Sequence, residues 1–560
     1  MGQGSIVEAV GRKRVEQVRE PADGGGHERL QTTGPGLIRN KEHPSMAALL
    51  LVILILLPVA TGAEPVHDSS ALKAQSERTE PLTIGEVLAR IELTHPLLRA
   101  TGVERMEARA KILKALGAWE PTFKNRTEAD RYQSWNFLAF VNTTTGGFND
   151  STIAMGHPWG FTVEGGIRNG FGDRTNEGAH ALLANDGLLF WHNQQMIVGG
   201  SAHLLRGFMM NEEYADFQKA ELAGPQAEIA VAQKRQDLYL AGAVQYWDWQ
   251  VAVKQNDVQQ RTLAVAEERY TQIEGQAKRG LSSPLDVIEA TQEVQRRREA
   301  AIAAQRKVEY EQYKLSLFLW ESGEPVTPRP EWAPEFQGET PLPTKEEVAA
   351  YKVEAKEDRP EVRELYIDAK LNNIDIKLAK NYLLPKFDFR GGQMDAGSDW
   401  NVGIGYRMES FFAMPLFQRE GRGKVMYAEA DQQQLAWKQL YTEQQVSVDV
   451  DNWLSAQVRA RDRVTAATEA LRLAKTLEEG ERTRFNMGAT TVLFVNVRER
   501  NVVAAAYELY RAQADYAVSR GGMLWARGAL SKPWPQSELA KYGNPLTAAG
   551  MDGFKRPGRD

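Results

Sequence analysis

Apolar residues spaced by sevens constrain this chain more than any other feature. Leu240, Val244, Trp247, Val251, Val258 and Val265 follow one another by four, three, four, seven and seven residues, and Val287, Val294, Ala301, Val308 and Leu315 each lie seven apart. A strict seven-residue repeat keeps one stripe of a helix against its neighbour only if the helices supercoil, so both segments read as long coiled-coil helices. Between them, residues 279–286 read as a turn. Gly280 suits a left-handed helix stop, Ser283 can cap, Pro284 fits the first helical position and Asp286 can complete a capping box. The unit is a large helical hairpin. Its rising arm, from about residue 210 to 279, would measure on the order of 100 Å at 1.5 Å per residue, with a bend at Pro225.

The hairpin recurs. Val446, Val450, Trp453, Val464 and Leu471 stand 206 residues after Leu240, Val244, Trp247, Val258 and Val265. Val495, Val502, Leu509, Tyr516 and Met523 stand 208 after the second set, around another turn at residues 486–494 centred on Gly488. Ala460, Ala467 and Ala474, with Ala505, Ala512, Ser519 and Ala526, line a neighbouring stripe where helices could approach closely on a second side. The chain therefore reads as an internal two-fold repeat. Residues 82–320 form the first copy and residues 345–530 the second, joined by a Pro-rich linker at residues 321–344 and flanked by flexible segments at residues 64–81 and 531–560.

Each hairpin is preceded by the same kind of material. Ile84, Val87, Leu88 and Ile91 recur at helical spacing behind a capping Thr83, His95-Pro96 interrupts, and a second helix runs from 96 to 118. In the other copy, helices starting near Lys345 and at Arg359-Pro360-Glu361 lead to Leu384-Pro385. Extended segments follow both. Residues 121–206 are rich in aromatics, Thr, Asn and Gly, with a loop expected at 172–186 and a returning strand at 187–205. Residues 385–394 and 400–411 read as a strand pair. In the latter, Val402, Ile404, Tyr406 and Met408 alternate with Gly403, Gly405, Arg407 and Glu409. That alternation fits a strand between lipid and a watery lumen, and equally a soluble sheet with one wet face.

A formal net charge of −6 argues against nucleic-acid binding, and the absence of Cys excludes disulfides and thiolate metal sites. The apolar run at residues 47–59, with Arg39 and Lys41 before it and small residues after, reads as the core of a signal peptide within an N-terminal segment of residues 1–63. A short membrane anchor is the alternative, but the run falls short of a spanning helix.

In this order the features resemble the TolC-like outer-membrane efflux family. Leu204-Leu205-Arg206-Gly207-Phe208 and the stretch from Met414 to Arg422 are similar to the family's two passages from strand to helix, and Gly280 to Val287 with Glu289-Ala290 is similar to its hairpin tip. The resemblance spans residues 82–530. It implies an α+β membrane protein in the outer membrane, extending into the periplasm. It also implies a homotrimer: a twelve-stranded β-barrel, four strands per protomer, continued by an α-helical coiled-coil barrel. The partners implied are outer-membrane lipid, a periplasmic adaptor and an inner-membrane pump in an efflux or type I secretion system. Residues 121–206 are long for two strands and leave room for an extra hairpin outside the cell.

Tip and gate candidates are Arg279, Gly280, Asp286, Gly488, Phe494 and Val497. The family often places acidic residues where Phe494 and Val497 stand, so the expected constriction closes more by apolar packing than by carboxylates, with Asp286 as the tip acid. Asp286 needs no role beyond capping, and solvation alone would explain Arg279. Trp247 and Trp453 read as packing residues. No catalytic, cofactor or metal site is expected. Gly421-Arg422-Gly423-Lys424 lacks both ends of a phosphate loop, and His157, His192 and His203 lack ligand spacing. A periplasmic coiled-coil structural or adaptor protein is the second reading, but it does not account for strands before both hairpins.

Overall fold

The structure is a computed structural model. It describes residues 80–135, 141–172, 194–321, 323–336, 338, 340–394, 406–539 and 541, which belong to one compact unit, Thr79–Asp560. The expected N-terminal extension and signal peptide, residues 1–63, lie outside the described residues.

Thr83 Oγ1 accepts from Glu86 N at 3.2 Å and starts α1 (Ile84–Thr94). His95 ends α1 and caps α2 (Pro96–Gly102), its Nδ1 accepting from Leu97 N at 3.2 Å. The single helix expected over residues 96–118 is divided, because after Gly102 the bonding tightens (Val103 N to Ala100 O, 3.1 Å) before α3 (Glu104–Leu116) resumes.

The long elements are α4 (Glu212–Lys278, 67 residues) and α5 (Pro284–Ser316), then α8 (Arg419–Asn486, 68 residues) and α9 (Val492–Ala526). Between the pairs lie α6 (Lys345–Asp358) and α7 (Pro360–Asn381). Along α5 the sevenfold line is buried at Val294, Ala301, Val308 and Leu315. Along α4 it shifts. Val265 is 39% exposed, and the buried line toward the tip is Gln245, Ala252, Gln259, Ala266 and Ile273, also spaced by seven. The amide nitrogens of the two glutamines find partners inside: Gln245 Nε2 donates to Glu311 Oε2 at 2.8 Å, and Gln259 Nε2 to Tyr507 Oη of α9 at 2.8 Å. The helix α4 thus packs against both α5 and α9, and its buried stripe serves two neighbours.

Both tryptophans of the repeat pack as expected. Trp247 stacks on Phe336 with centroids 6.0 Å apart, and Trp453 lies against Gly522, where an added Cβ would fall 2.2 Å from the indole. The main core gathers Leu82, Ile91, Tyr239, Tyr246, Trp249 and Leu315. Arg235 crosses its edge, paired to Glu92 at 2.8 and 3.0 Å and to Ser531 O at 2.9 Å.

The Pro-rich segment is a strap. It opens with a two-strand ladder, β5 (Trp320–Glu321) with β6 (Glu324–Pro325), and buries Val326 and Trp332. Lacking a ladder of its own beyond that, it offers carbonyls to the helices: Trp332 O accepts from Leu82 N at 2.8 Å, Pro334 O from Gln250 Nε2 at 2.6 Å, and Thr340 O from Tyr516 Oη at 2.9 Å.

Candidate channel wall and helical tips

The extended segments form one antiparallel sheet. Its strands are β1 (Thr122–Trp135), β2 (Val141–His157), β3 (Phe161–Gly172), β4 (Gln194–His203), β7 (Lys386–Met394) and β8 (Tyr406–Ala413), side by side in the order β1-β2-β3-β4-β7-β8. Residues 400–405 of the expected last strand, and most of the expected loop at 172–186, lie outside the described residues.

The sheet has six strands, where four per protomer were expected. The added hairpin is part of the sheet, not an appendage beyond it. Its turn at residues 158–160 needs Gly160 at φ +84° and sits at the helical end of the sheet. Asn211 Nδ2 donates to Pro158 O at 3.0 Å, Met209 N to Trp159 O at 3.3 Å and His203 N to Gly160 O at 2.9 Å. The passages into the long helices carry the two non-glycine residues found with positive φ among those described, Met209 (+56°) and Gln418 (+49°).

Pairing fixes which side chains share a face. One row reads Phe123, Ile153, Gly165, Val198 and Tyr406; the next toward the helices adds Met155, Val163, Gly200, Gly391 and Met408, followed by Phe161, Ala202 and Phe389, then Phe387 with Phe412. Phe123, Ile153, Val163, Tyr406, Met408 and Phe412 are all exposed. From Phe412 to the row of Ile167 and Met196 is eight residue steps by pairing, roughly 26 Å along the strand at 3.3 Å each. On β1 and β2 the face turns polar in that same row, where Asn125 Nδ2 donates to Ser151 Oγ at 2.8 Å, and stays polar in the next, where Asn149 Nδ2 donates to Thr127 Oγ1 at 2.7 Å.

The opposite face is charged. Arg168 grips Asp150 at 2.7 and 2.8 Å, Arg390 meets Glu164 at 2.5 Å, His203 Nδ1 meets Asp388 at 2.6 Å, and Arg126 meets Glu128 at 2.9 Å. With Lys124, Lys386 and Glu409, the basic and acidic groups balance. The rings on this face lie beside cations: Phe148 beneath Arg168 at 4.8 Å, Phe411 near Lys386 at 5.6 Å.

At the other end of the molecule the two turns share one geometry. Gly280 (φ +75°) and Gly488 (φ +73°) close the helices, with Leu281 N bonding Gln276 O and Ala489 N bonding Arg484 O, each at 2.9 Å. Asp286 completes the capping box: its Oδ2 accepts from Ser283 N and Ser282 Oγ at 3.0 Å each, while Ser283 Oγ accepts from Leu285 N at 3.2 Å. Arg279 is exposed and folds back onto Gly275 O at 3.1 Å.

Of the second-tip residues named from sequence, Phe494 is 54% exposed and Val497 half-buried. The side chains buried there are Val492 and Val495; Val492 packs with Ile273, Ala290, Val287 and Phe485 and so joins both hairpins. Just inside lies a network that the sequence reading missed. Arg269 of α4 bonds Asn496 Oδ1 at 2.9 Å and Glu499 Oε2 at 3.0 Å on α9, and Arg482 of α8 reaches Glu478 at 2.5 Å and Glu499 at 3.4 Å. The available signal was Glu499 itself, seven residues from Val492 and from Ala506 and so on a buried line. Exposed Leu281, Leu285, Ile288, Met487, Leu493 and Phe494 leave the tips apolar outside.

His157 stacks on Phe161 at 4.2 Å, and His192 lies outside the described residues. Among the described residues no helix is long and apolar enough to cross a membrane, and no cluster of His, Asp or Glu is arranged to hold a metal.

No family model matches the sequence, and no curated protein does. Solved structures do match in shape. The CmeC outer membrane channel of Campylobacter jejuni aligns at a TM-score of 0.58 with 12% identity, covering 82% of this chain and 88% of that one. The outer membrane protein VceC of Vibrio cholerae aligns at 0.56 with 13% identity over 80% and 96%. The open-state MtrE outer membrane channel of Neisseria gonorrhoeae aligns at 0.54 with 16% identity over 80% and 88%. The chain has the fold of outer-membrane channels, strands and long helical hairpins in one polypeptide. Within that class it is the TolC-like, α+β fold of the outer-membrane factors.

Proposed function

We propose that this chain is the outer-membrane channel of an efflux system, a passive exit duct for substrates delivered by an inner-membrane pump through a periplasmic adaptor. It does no chemistry. Three copies assemble, their two halves acting as an internal repeat, so that the sheets form a barrel in the outer membrane and the hairpins a helical tunnel through the periplasm. Type I secretion would use the same duct.

The observation that carries this reading is the sheet. One face is exposed and apolar over a height of the order of a lipid core, while the other holds balanced ion pairs suited to a water-filled lumen. A soluble protein would cover such an apolar face, and a periplasmic adaptor has no use for it. Among the described residues β1 pairs only with β2 and β8 only with β7, so both edges await a neighbour. Lipid tolerates no open edge, and copies of the same chain supply the missing partner.

The exposed apolar tips and Arg279 are the surface offered to an adaptor, and the buried pairing of Arg269, Glu499 and Arg482 holds the tips together in a closed state. Gly280 and Gly488 set the turns. Fractionation tests the whole reading: heat-modifiable trimers in the outer-membrane fraction are expected, and a soluble periplasmic monomer would overturn it.

A further inference from the structure

We infer that the outer wall of this channel is an eighteen-stranded barrel, six strands from each of three copies, and that its outer stage admits solutes too wide for a twelve-stranded wall. The inference rests on the trimeric channel reading above and concerns the barrel alone.

The added strands behave as wall. The β1–β2 pairing runs unbroken from Thr122 opposite Ala154 to Trp135 opposite Val141, and β2–β3 from His157 opposite Phe161 to Gly146 opposite Gly172. A β2–β3 hairpin thrown outside the barrel would pair only with itself and leave β1 to pair with β4. Instead β3 pairs with β4 from Phe161 opposite Ala202 to Asn169 opposite Gln194, β2 pairs with β1, and the open edge of β1 stands two strands out from β4.

Both faces also continue across the insertion. Ile153 and Val163 extend the apolar face of Val198 and Met408, and the pair Arg168–Asp150 extends the charged face of Arg390 and Glu164. Two glycines allow the added strands to lie this close. A Cβ on Gly166 would fall 2.1 Å from Ser151 O, and one on Gly147 1.8 Å from Glu128 O.

The insertion is seated at the helical rim. Its turn is held by Asn211 and Met209 at the start of α4, yet it brings no helix of its own. The number of hairpins is therefore unchanged while the wall above gains half as many strands again. At about 4.7 Å between strands and a tilt near 40°, eighteen strands close at about 35 Å across, against about 24 Å for twelve. After about 5 Å of side chain on each side, the free width is roughly 25 Å against roughly 14 Å. The narrow part of the duct then lies in the helices, and the membrane stage acts as a wide vestibule.

Imaging the full chain in lipid nanodiscs at a resolution that separates strands tests this directly. A trimer with eighteen strands is expected. A trimer with twelve, the β2–β3 hairpin lying outside the wall, overturns the inference and leaves the channel reading intact; a monomer or a soluble particle overturns both. Single-channel recording reads the width: neutral polymers about 20 Å across, added from the extracellular side, should enter and lower the conductance. Their exclusion, with entry only of polymers near 10 Å, would overturn the size claim.

Discussion

The guanidinium of Arg269 on α4 and the carboxylate of Glu499 on α9 face each other as a nearly buried bidentate pair, tying the first hairpin to the second just inside their tips. Removing one partner of such a pair strands the other charge away from water, at a cost of about 3–5 kcal/mol. On the trimeric channel reading, Glu499→Gln should therefore loosen the tips, raising single-channel conductance and lowering the thermal stability of the assembly. Replacing both partners with Met and Leu should restore most of the stability, since no buried charge is left over. A Glu499→Gln channel with unchanged conductance and melting would show that the pair holds nothing shut.

Asp286 is bonded as a capping residue, and loss of a cap costs about 1 kcal/mol. Asp286→Ala should accelerate amide exchange in residues 283–287 about fivefold without changing conductance. A conductance change comparable to that of Glu499→Gln would give Asp286 a place in the gate.

Gly522 leaves no space for a methyl group beneath Trp453. Gly522→Ala should destabilise the second hairpin by about 1–3 kcal/mol through overpacking, and pairing it with Trp453→Leu should recover more than half of that. Additive losses in the double variant would place the strain elsewhere.

His95 caps α2 with an unprotonated ring nitrogen, and burial, aided by the Lys234 charge, holds its pKa below the usual 6.5. The unfolded chain then takes up a proton that the folded chain refuses. The stability this gives is complete above about pH 6.5 and is lost as pH falls from there toward the lower folded pKa. Melting temperature should fall between pH 7 and pH 5, with a shallower slope for His95→Asn, which keeps a capping acceptor. Identical slopes for the two proteins would remove His95 from the account.

Sequence made the helical hairpins legible because their signal is repeated: sevenfold spacing, turn glycines and offsets of 208 and 206 residues place Gly280 with Gly488 and Trp247 with Trp453. It was weaker wherever a polar residue lay buried. Gln259 and Glu499 continue buried lines through partners on other helices, and no local pattern reveals a partner more than 200 residues away. The strand count was missed for a related reason. The turn His157-Pro158-Trp159-Gly160 carries a local Pro and Gly signal that the reading of residues 121–206 did not use, and alternation in β1 to β3 is diluted by Asn, Thr and Gly, so the pairing partners show which face each residue takes.

The unpartnered edges of β1 and β8 bear on how such a protein is made. On the trimeric reading, the final backbone hydrogen bonds of each copy can come only from sister copies, so folding and assembly finish in one step. A stray copy cannot settle in the bilayer by itself, and surveillance proteases meet it with strands still unlatched. Maturation should therefore rise steeply with expression level, and a cell making too little would lack finished pores before it ever accumulated leaky ones.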